Sequence, residues 1–297
     1  MSPNKDAYTV VTDRIIEALE GGHIPWSKPW RSVAGTGPIS LQTGREYRGI
    51  NVWILGVESM LRGYTSPFWV TFKQAKERGG SVRKGERGTT VVLWKPVKKS
   101  AENTNGETED RSFLLMRTFT VFNVEQCDGV EVPELEPLPE RDPIEACEAV
   151  VNGYRDAPTI EHGGNSAFYS AALDYVRMPQ RGQFKSSELY YGALFHELAH
   201  STGHESRLNR DTMISPKPFG SEDYSKEELV AELASAFLRG QAGIEPDVTY
   251  SAGYIENWLQ ALRNDRKLLV SAAAQAQKAS DRILGVEPVK KEEVAAA

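Results

Sequence analysis

SSELYYGALFHELAHSTGH, residues 186–204, carries three of the chain's five histidines, His196, His200 and His204, spaced four apart. On a helix, residues four apart sit about 40° and about 6 Å from one another, on one face. The pentapeptide HELAH therefore places two imidazoles where they can share one tetrahedral zinc, with Glu197 beside them to reach a metal-bound water. Leu189, Ala193, His196 and His200 share a face, so the histidines are expected to point inward. Ser186 or Ser187 can cap the start of the helix and Gly203 can end it. The competing reading is a helix with incidental histidines. Placement on a capped, amphipathic segment favours the metal.

A third protein ligand is then required. Position 206 is Ser, so the pattern HExxHxxGxxH is incomplete, and His204, past Gly203, is expected at the surface or behind the ligands. Better candidates lie in SKEELVAELASAF, residues 225–237, where Glu228 and Glu232 stand one turn apart. Ala231 and Ser235 are small enough to let that helix approach the histidine helix closely, and Leu229, Leu233 and Phe237 form its packing face. This arrangement resembles the gluzincins, in which HExxH is followed by ExxxD. The resemblance implies that Glu228 binds metal and that Glu232, standing where the family has Asp, orients a ligating histidine. Ser225 to Glu228 also has the form of a capping box, which would occupy Glu228 and leave Glu232 as the ligand. Either Tyr224 or His204 could donate to an oxyanion. GNSAFYSAALDYVRMP, residues 164–179, could supply an edge strand for an extended peptide.

Outward from the helix, the chain divides at GVEVPELEPLPERDP, residues 129–143, which holds four prolines and five acidic residues. Such a stretch lacks backbone donors and repels itself, the character of a semi-rigid linker. This places a first domain at 1–130, a linker at 131–143 and a second domain at 144–290. The first domain is predicted to hold helices at about 5–21, over NVWILGVESMLRG and over TFKQAKERGG. A hairpin of GTTVVLWKPV and FLLMRTFTVFNV follows, with a long, flexible tip. The second is predicted to run from a helix near 143–156, through short strands broken at His162-Gly163-Gly164-Asn165, to helices at about 186–203, 225–241 and 252–281. The fold class is α+β in two domains.

Charge is split unevenly. Residues 1–100 hold 16 Lys and Arg against 8 Asp and Glu, although the whole chain carries a net charge of −6. Five of the six tryptophans also lie in the first domain. Cations that follow phosphates and rings that stack on bases are what a single-strand binder needs. The candidate residues are Trp26, Lys28, Trp30 and Arg31; Arg45, Tyr47 and Arg48; Trp69 and Lys73; and Arg83, Lys84 and Arg87. Trp53, Trp94 and Phe122 are expected in the core. The two cysteines, Cys127 and Cys147, form no CxxC, there is no signal-like N-terminus, and no apolar run reaches membrane-spanning length. These features predict a cytoplasmic protein.

The succession PWSKPW, YRGINVWIL, WVTFKQA, GGSVRKGERGTTVVLW, FTVFNVEQ, YYGALFHELAHSTGHESRLNR and EELVAELASAF resembles the ArdC antirestriction proteins of conjugative plasmids, in order and across nearly the whole chain. The resemblance implies an N-terminal single-stranded-DNA-binding domain joined to a zincin-like metallopeptidase domain. It also implies protection of incoming plasmid DNA from host restriction. Zn2+ is the expected cofactor, with Mn2+ as another suitable divalent ion, and a host protein is a candidate substrate. The rival readings are a DNA-shielding protein whose metal is structural and a metal-dependent nuclease. The nuclease is disfavoured because phosphodiester cleavage more often uses carboxylate-rich two-metal sites.

Overall fold

The computed structural model describes residues 7–24, 37–102, 108–134, 143–214, 222–244 and 252–286. In the first half, α1 (Ala7–Glu20) precedes β1 (Ile39–Ser40), α2 (Ile50–Arg62), β2 (Phe68–Thr71), α3 (Phe72–Glu77) and β3 (Ser81–Val82). The long strands β4 (Thr89–Glu102) and β5 (Thr108–Asn123) follow, and then β6 (Cys127–Asp128). One sheet runs in the order β1-β2-β5-β4, with β1 parallel to β2 and the other pairs antiparallel. The predicted hairpin is present. Its ladder continues to Glu102 opposite Thr108, so most of the segment expected as a flexible tip is paired strand. Asn51 of α2 accepts from the backbone N–H of Val92 and donates to its carbonyl, at 2.9 and 2.8 Å, which satisfies the outer edge of β4 there. Thr71 and Gln74 make a reciprocal capping box that turns the end of β2 directly into α3.

The second half begins with α4 (Pro143–Gly153). A three-stranded sheet follows, built from β7 (Thr159–His162), β8 (Phe168–Ser170) and β9 (Tyr175–Met178). β9 is central, parallel to β7 and antiparallel to β8, so β8 lies at an edge, as expected for that segment. The helices are α5 (Ser187–Ser201), α6 (Asp211–Ile214), α7 (Glu222–Ala242), α8 (Ala252–Asn264) and α9 (Leu268–Ile283). The single helix expected over 252–281 is therefore two. The break falls at Asp265, whose carboxylate accepts from the N–H of Lys267 at 2.8 Å and so competes with the helical pattern.

The core crosses between the halves. Val11, Ile15 and Leu19 of α1 and Trp53, Ile54 and Val57 of α2 are buried in one cluster with Leu229, Val230 and Leu233 of α7, Trp258 of α8 and Leu269 of α9. The Trp53 ring lies 4.8 Å from that of Phe237, centroid to centroid. Polar ties reinforce this seam. The Thr12 hydroxyl donates to the Arg266 carbonyl at 2.7 Å, the Gly49 N–H donates to the Gln277 side chain at 3.0 Å, and Arg48 pairs with Asp281. A second cluster joins Cys147, Val176, Met178, Tyr190, Tyr191, Leu194, Phe195 and Leu198 to Leu238 and Ala242. Helix α7 thus belongs to both cores. Among the described residues, no helix is long and apolar enough to cross a membrane.

Candidate metal centre

Ser186 caps α5, its hydroxyl accepting from the N–H of Leu189 at 3.3 Å. The face buried most deeply is that of Tyr190, Leu194, Phe195 and Leu198. The His196 and His200 side chains are only 18% and 12% exposed, so the histidine face is turned inward as expected, against α7 rather than into the deepest apolar core. Helix α7 crosses close to α5: the Ser235 hydroxyl donates to the Gly192 carbonyl at 3.1 Å, an approach that larger side chains would prevent.

The crossing brings one carboxylate to both imidazoles. Glu228 places its two oxygens 3.5 Å from His196 Nε2 and 3.4 Å from His200 Nε2, and those nitrogens are 3.1 Å apart. Donor atoms of His196, His200 and Glu228 all lie within 4.8 Å of one another, the one such group among the described residues able to hold a metal ion. Glu232 approaches His196 Nδ1 at 3.5 Å. The competing capping box does not form: α7 starts at Glu222, so Ser225 and Glu228 are interior to the helix. His204 turns away, its Nδ1 2.8 Å from the Ser206 hydroxyl.

The surroundings demand positive charge. Burial alone would lower the pKa of His200, but hydrogen bonds to Glu227 and Glu228 raise it to about 10, and His196 is raised likewise by Glu228 and Glu232. Burial alone would raise Glu228, yet both histidines hold it well below the usual carboxylate range. Two imidazole nitrogens and a carboxylate aimed at one point, in an environment that favours a cation, are a donor set that fits zinc or manganese.

Two features here were not found by sequence reasoning. Glu227, to which the sequence reading gave no role, is buried and lies 3.3 Å from His200 Nδ1, and it pairs with Arg210 from the loop after α5. The doubled acid Glu227-Glu228 inside an apolar helix was the available signal. Arg207 is the other. It donates to the Ser201 carbonyl at 2.7 Å and to the Tyr169 hydroxyl at 3.1 Å, and it pairs with Asp174, so it ties the end of the histidine helix to the β8–β9 hairpin.

The expected DNA-binding residues scatter in fate. Trp26, Lys28, Trp30 and Arg31 lie outside the described residues. Arg45, Arg48, Lys73, Arg83, Lys84 and Arg87 are exposed, Lys73 lying 3.5 Å from Glu77 and Arg83 3.1 Å from Glu86. Trp69 corrects the expectation of a stacking ring. It is 0% exposed, packed with Leu55, Val91 and Val121, because β2 is covered on that face by α2. Tyr47 is half-buried against the same cluster, and burial pushes its hydroxyl up to about 12. Trp53 is buried and Trp94 partly buried, as expected.

An HExxH helix, a crossing helix that supplies a carboxylate and a small sheet whose β8 strand is paired on one side only among the described residues together define a zincin-type metal-binding protein. Residues 146–275 match a family described as a zincin-like metallopeptidase, and residues 5–122 match the N-terminal domain of the anti-restriction factor ArdC. The ArdC protein of plasmid R388 is similar in its metal-free crystal structure, with TM-score 0.74 and 38% identity, over 94% of this chain and 96% of that one. In its Mn(II)-bound structure the TM-score is 0.73 at 37% identity, over 98% of each chain. The chain belongs to the ArdC antirestriction family. Among curated relatives, the uncharacterized protein y4eC of Sinorhizobium fredii is 36% identical over 93% of this chain and 91% of its own. A DNA primase TraC of Escherichia coli is 38% identical over 97% of this chain, and a second is 38% identical over 95%. The chain spans only 20% and 27% of those two proteins' lengths.

Proposed function

We propose that this protein is a divalent-metal-dependent peptidase fused to a single-stranded-DNA-binding first half, and that it shields incoming plasmid DNA from restriction. The observation that carries the peptidase reading is the convergence of His196, His200 and Glu228, with the partly buried Glu197 next to His196 on the same helix. In this reading those three residues hold the ion, and Glu232 orients His196. A bound Zn2+ or Mn2+ supplies Lewis acidity and acidifies a water molecule. Glu197 takes the proton from that water and returns it to the leaving amine. The β8 edge pairs with an extended peptide and lays it beside the metal centre. The DNA reading rests on the basic, aromatic first half and on its match to the ArdC N-terminal domain. With Trp69 removed from that surface, the exposed cations and the PWSKPWR segment carry it.

Glu197→Gln is expected to keep its metal content and lose cleavage of casein-derived peptides. Metal-loaded wild type that cleaves no peptide would count against catalysis. Affinity for a labelled single strand is expected to fall steeply with salt, with duplex a poor competitor; equal competition by duplex would refute the strand preference. A second reading has one observation in its favour. Because α7 holds Glu228 and also packs on the first half, a metal there would brace the fold even without catalysis. Plasmid transfer into a restricting host decides between them: equal protection by wild type and Glu197→Gln selects the bracing role.

A further inference from the structure

Arg210 and Glu227 are both buried, their side chains 5% exposed, and neither has a part in the chemistry described above. The guanidinium grips the carboxylate twice, Nε to Oε2 at 3.0 Å and Nη2 to Oε1 at 2.5 Å. The Thr212 hydroxyl donates to Oε2 as well, at 2.5 Å. The oxygen Oε1 then meets His200 Nδ1 at 3.3 Å. The remaining guanidinium donors close the end of the histidine helix, reaching the Thr202 hydroxyl at 2.6 Å and the carbonyls of Ala199 and His200 at 2.9 and 3.3 Å. These carbonyls belong to the last turn, where helical partners run out. One cation therefore fixes both the backbone of His200 and the carboxylate that orients its ring. Space is reserved for this cation, since a Cβ on Gly203 would lie 2.8 Å from Arg210 Nη2.

Resting on the metal reading above, we propose that Arg210 and Glu227 act as a positioning pair for His200. Glu227 accepts a hydrogen bond from Nδ1–H, which leaves the Nε2 lone pair free for the point that His196, His200 and Glu228 share, and Arg210 keeps Glu227 in place. A buried ion pair is costly for stability alone, and apolar replacements often serve that purpose better. Its retention against a ligand imidazole is accounted for by orientation.

The test measures Mn(II) affinity of the full chain by electron paramagnetic resonance titration. Glu227→Gln is expected to weaken binding on the order of ten- to a hundred-fold, and Glu227→Asp to recover part of the loss. Arg210→Met should lose a similar factor, and the double variant no more than the weaker single one, because Arg210 acts through Glu227. In zinc-loaded protein, 1H–15N spectra should show the His200 Nδ1 proton strongly deshielded by its hydrogen bond to the Glu227 carboxylate in wild type and shifted upfield in Glu227→Gln. Should Arg210→Met fail to fold, Thr212→Val removes one support of the carboxylate and is expected to cause a smaller loss in the same direction. Folded variants that bind Mn(II) within twofold of wild type, or losses that simply add, overturn the proposal. Wild type that binds neither Mn(II) nor Zn(II) removes the metal reading itself.

Discussion

Gly203 illustrates how single residues serve the metal centre without touching it. A Cβ there would fall 2.5 Å from Met213 Cγ and 2.9 Å from Arg210 Cζ. Gly203→Ala is expected to destabilise the fold by about 1–3 kcal/mol, the usual cost of overpacking, read as a lower urea midpoint at unchanged slope. At Trp69 the expectation is reversed. The indole is buried and its N–H has no partner among the described residues, so Trp69→Phe should leave single-strand affinity within about twofold, a difference well below the roughly 1–3 kcal/mol worth of a stacked base. A large loss in fluorescence anisotropy titrations would place that ring back at the DNA. Legibility at this scale followed spacing. His196 and His200 were readable because helical period puts them on one face, whereas Glu228 was preferred to Glu232 only through the gluzincin resemblance. Glu227 and Arg210 were not, since their pairing depends on how the loop after α5 folds back, which no local pattern encodes.

At the scale of elements, the site exists because two helices can approach closely. Ser235 is 1% exposed and bonds to the backbone of α5 at Gly192. Ser235→Leu should push the helices apart, and Mn(II) affinity should fall more than tenfold, while substitution at the exposed Lys278 should change neither stability nor affinity. Unchanged binding in Ser235→Leu would mean that the crossing distance does not control the site. The cap is a milder lever: Ser186→Ala is expected to cost about 1 kcal/mol, measured by chemical denaturation. Most elements were visible in the sequence as apolar periodicity bounded by glycine or proline. The exceptions have local causes. Asp265 splits the last helix by bonding its own neighbour's backbone, and α7 begins a turn earlier than its apolar pattern suggests because its first residues are polar.

Over the whole molecule, acid sensitivity follows from carboxylates held in their charged form. Glu148 is lowered by hydrogen bonds from Tyr191 and Arg181. Burial would raise Asp174 and Glu227, but Arg207 lowers the first, and His200 with Arg210 lowers the second to about 2. Folded values below unfolded ones mean that their stabilisation is complete above about pH 4.5. It is lost as the pH falls through the folded values. The urea midpoint is therefore expected to hold steady from these groups above pH 5 and to drop between about pH 4.5 and pH 2. A second expectation concerns cooperativity. With α7 in both cores, calorimetry should show one transition for the entire chain, shifted upward by metal at about 2.7 kcal/mol for a hundredfold excess over Kd. Two separable peaks, only one responding to metal, would contradict the shared packing. This sharing was not legible beforehand: a proline-rich stretch marks where a chain is extended, and says nothing about which distant faces meet.

The seam between α2 and α7 also bears on inheritance. Cutting the gene at the proline-rich stretch would leave Trp53 and its neighbours facing water on one fragment and Phe237 on the other. Neither piece is then expected to fold alone as it folds in the whole chain. A region similar to nearly all of this chain, 38% identical, lies within each of two far longer proteins named DNA primase TraC, so both halves stand together there as well.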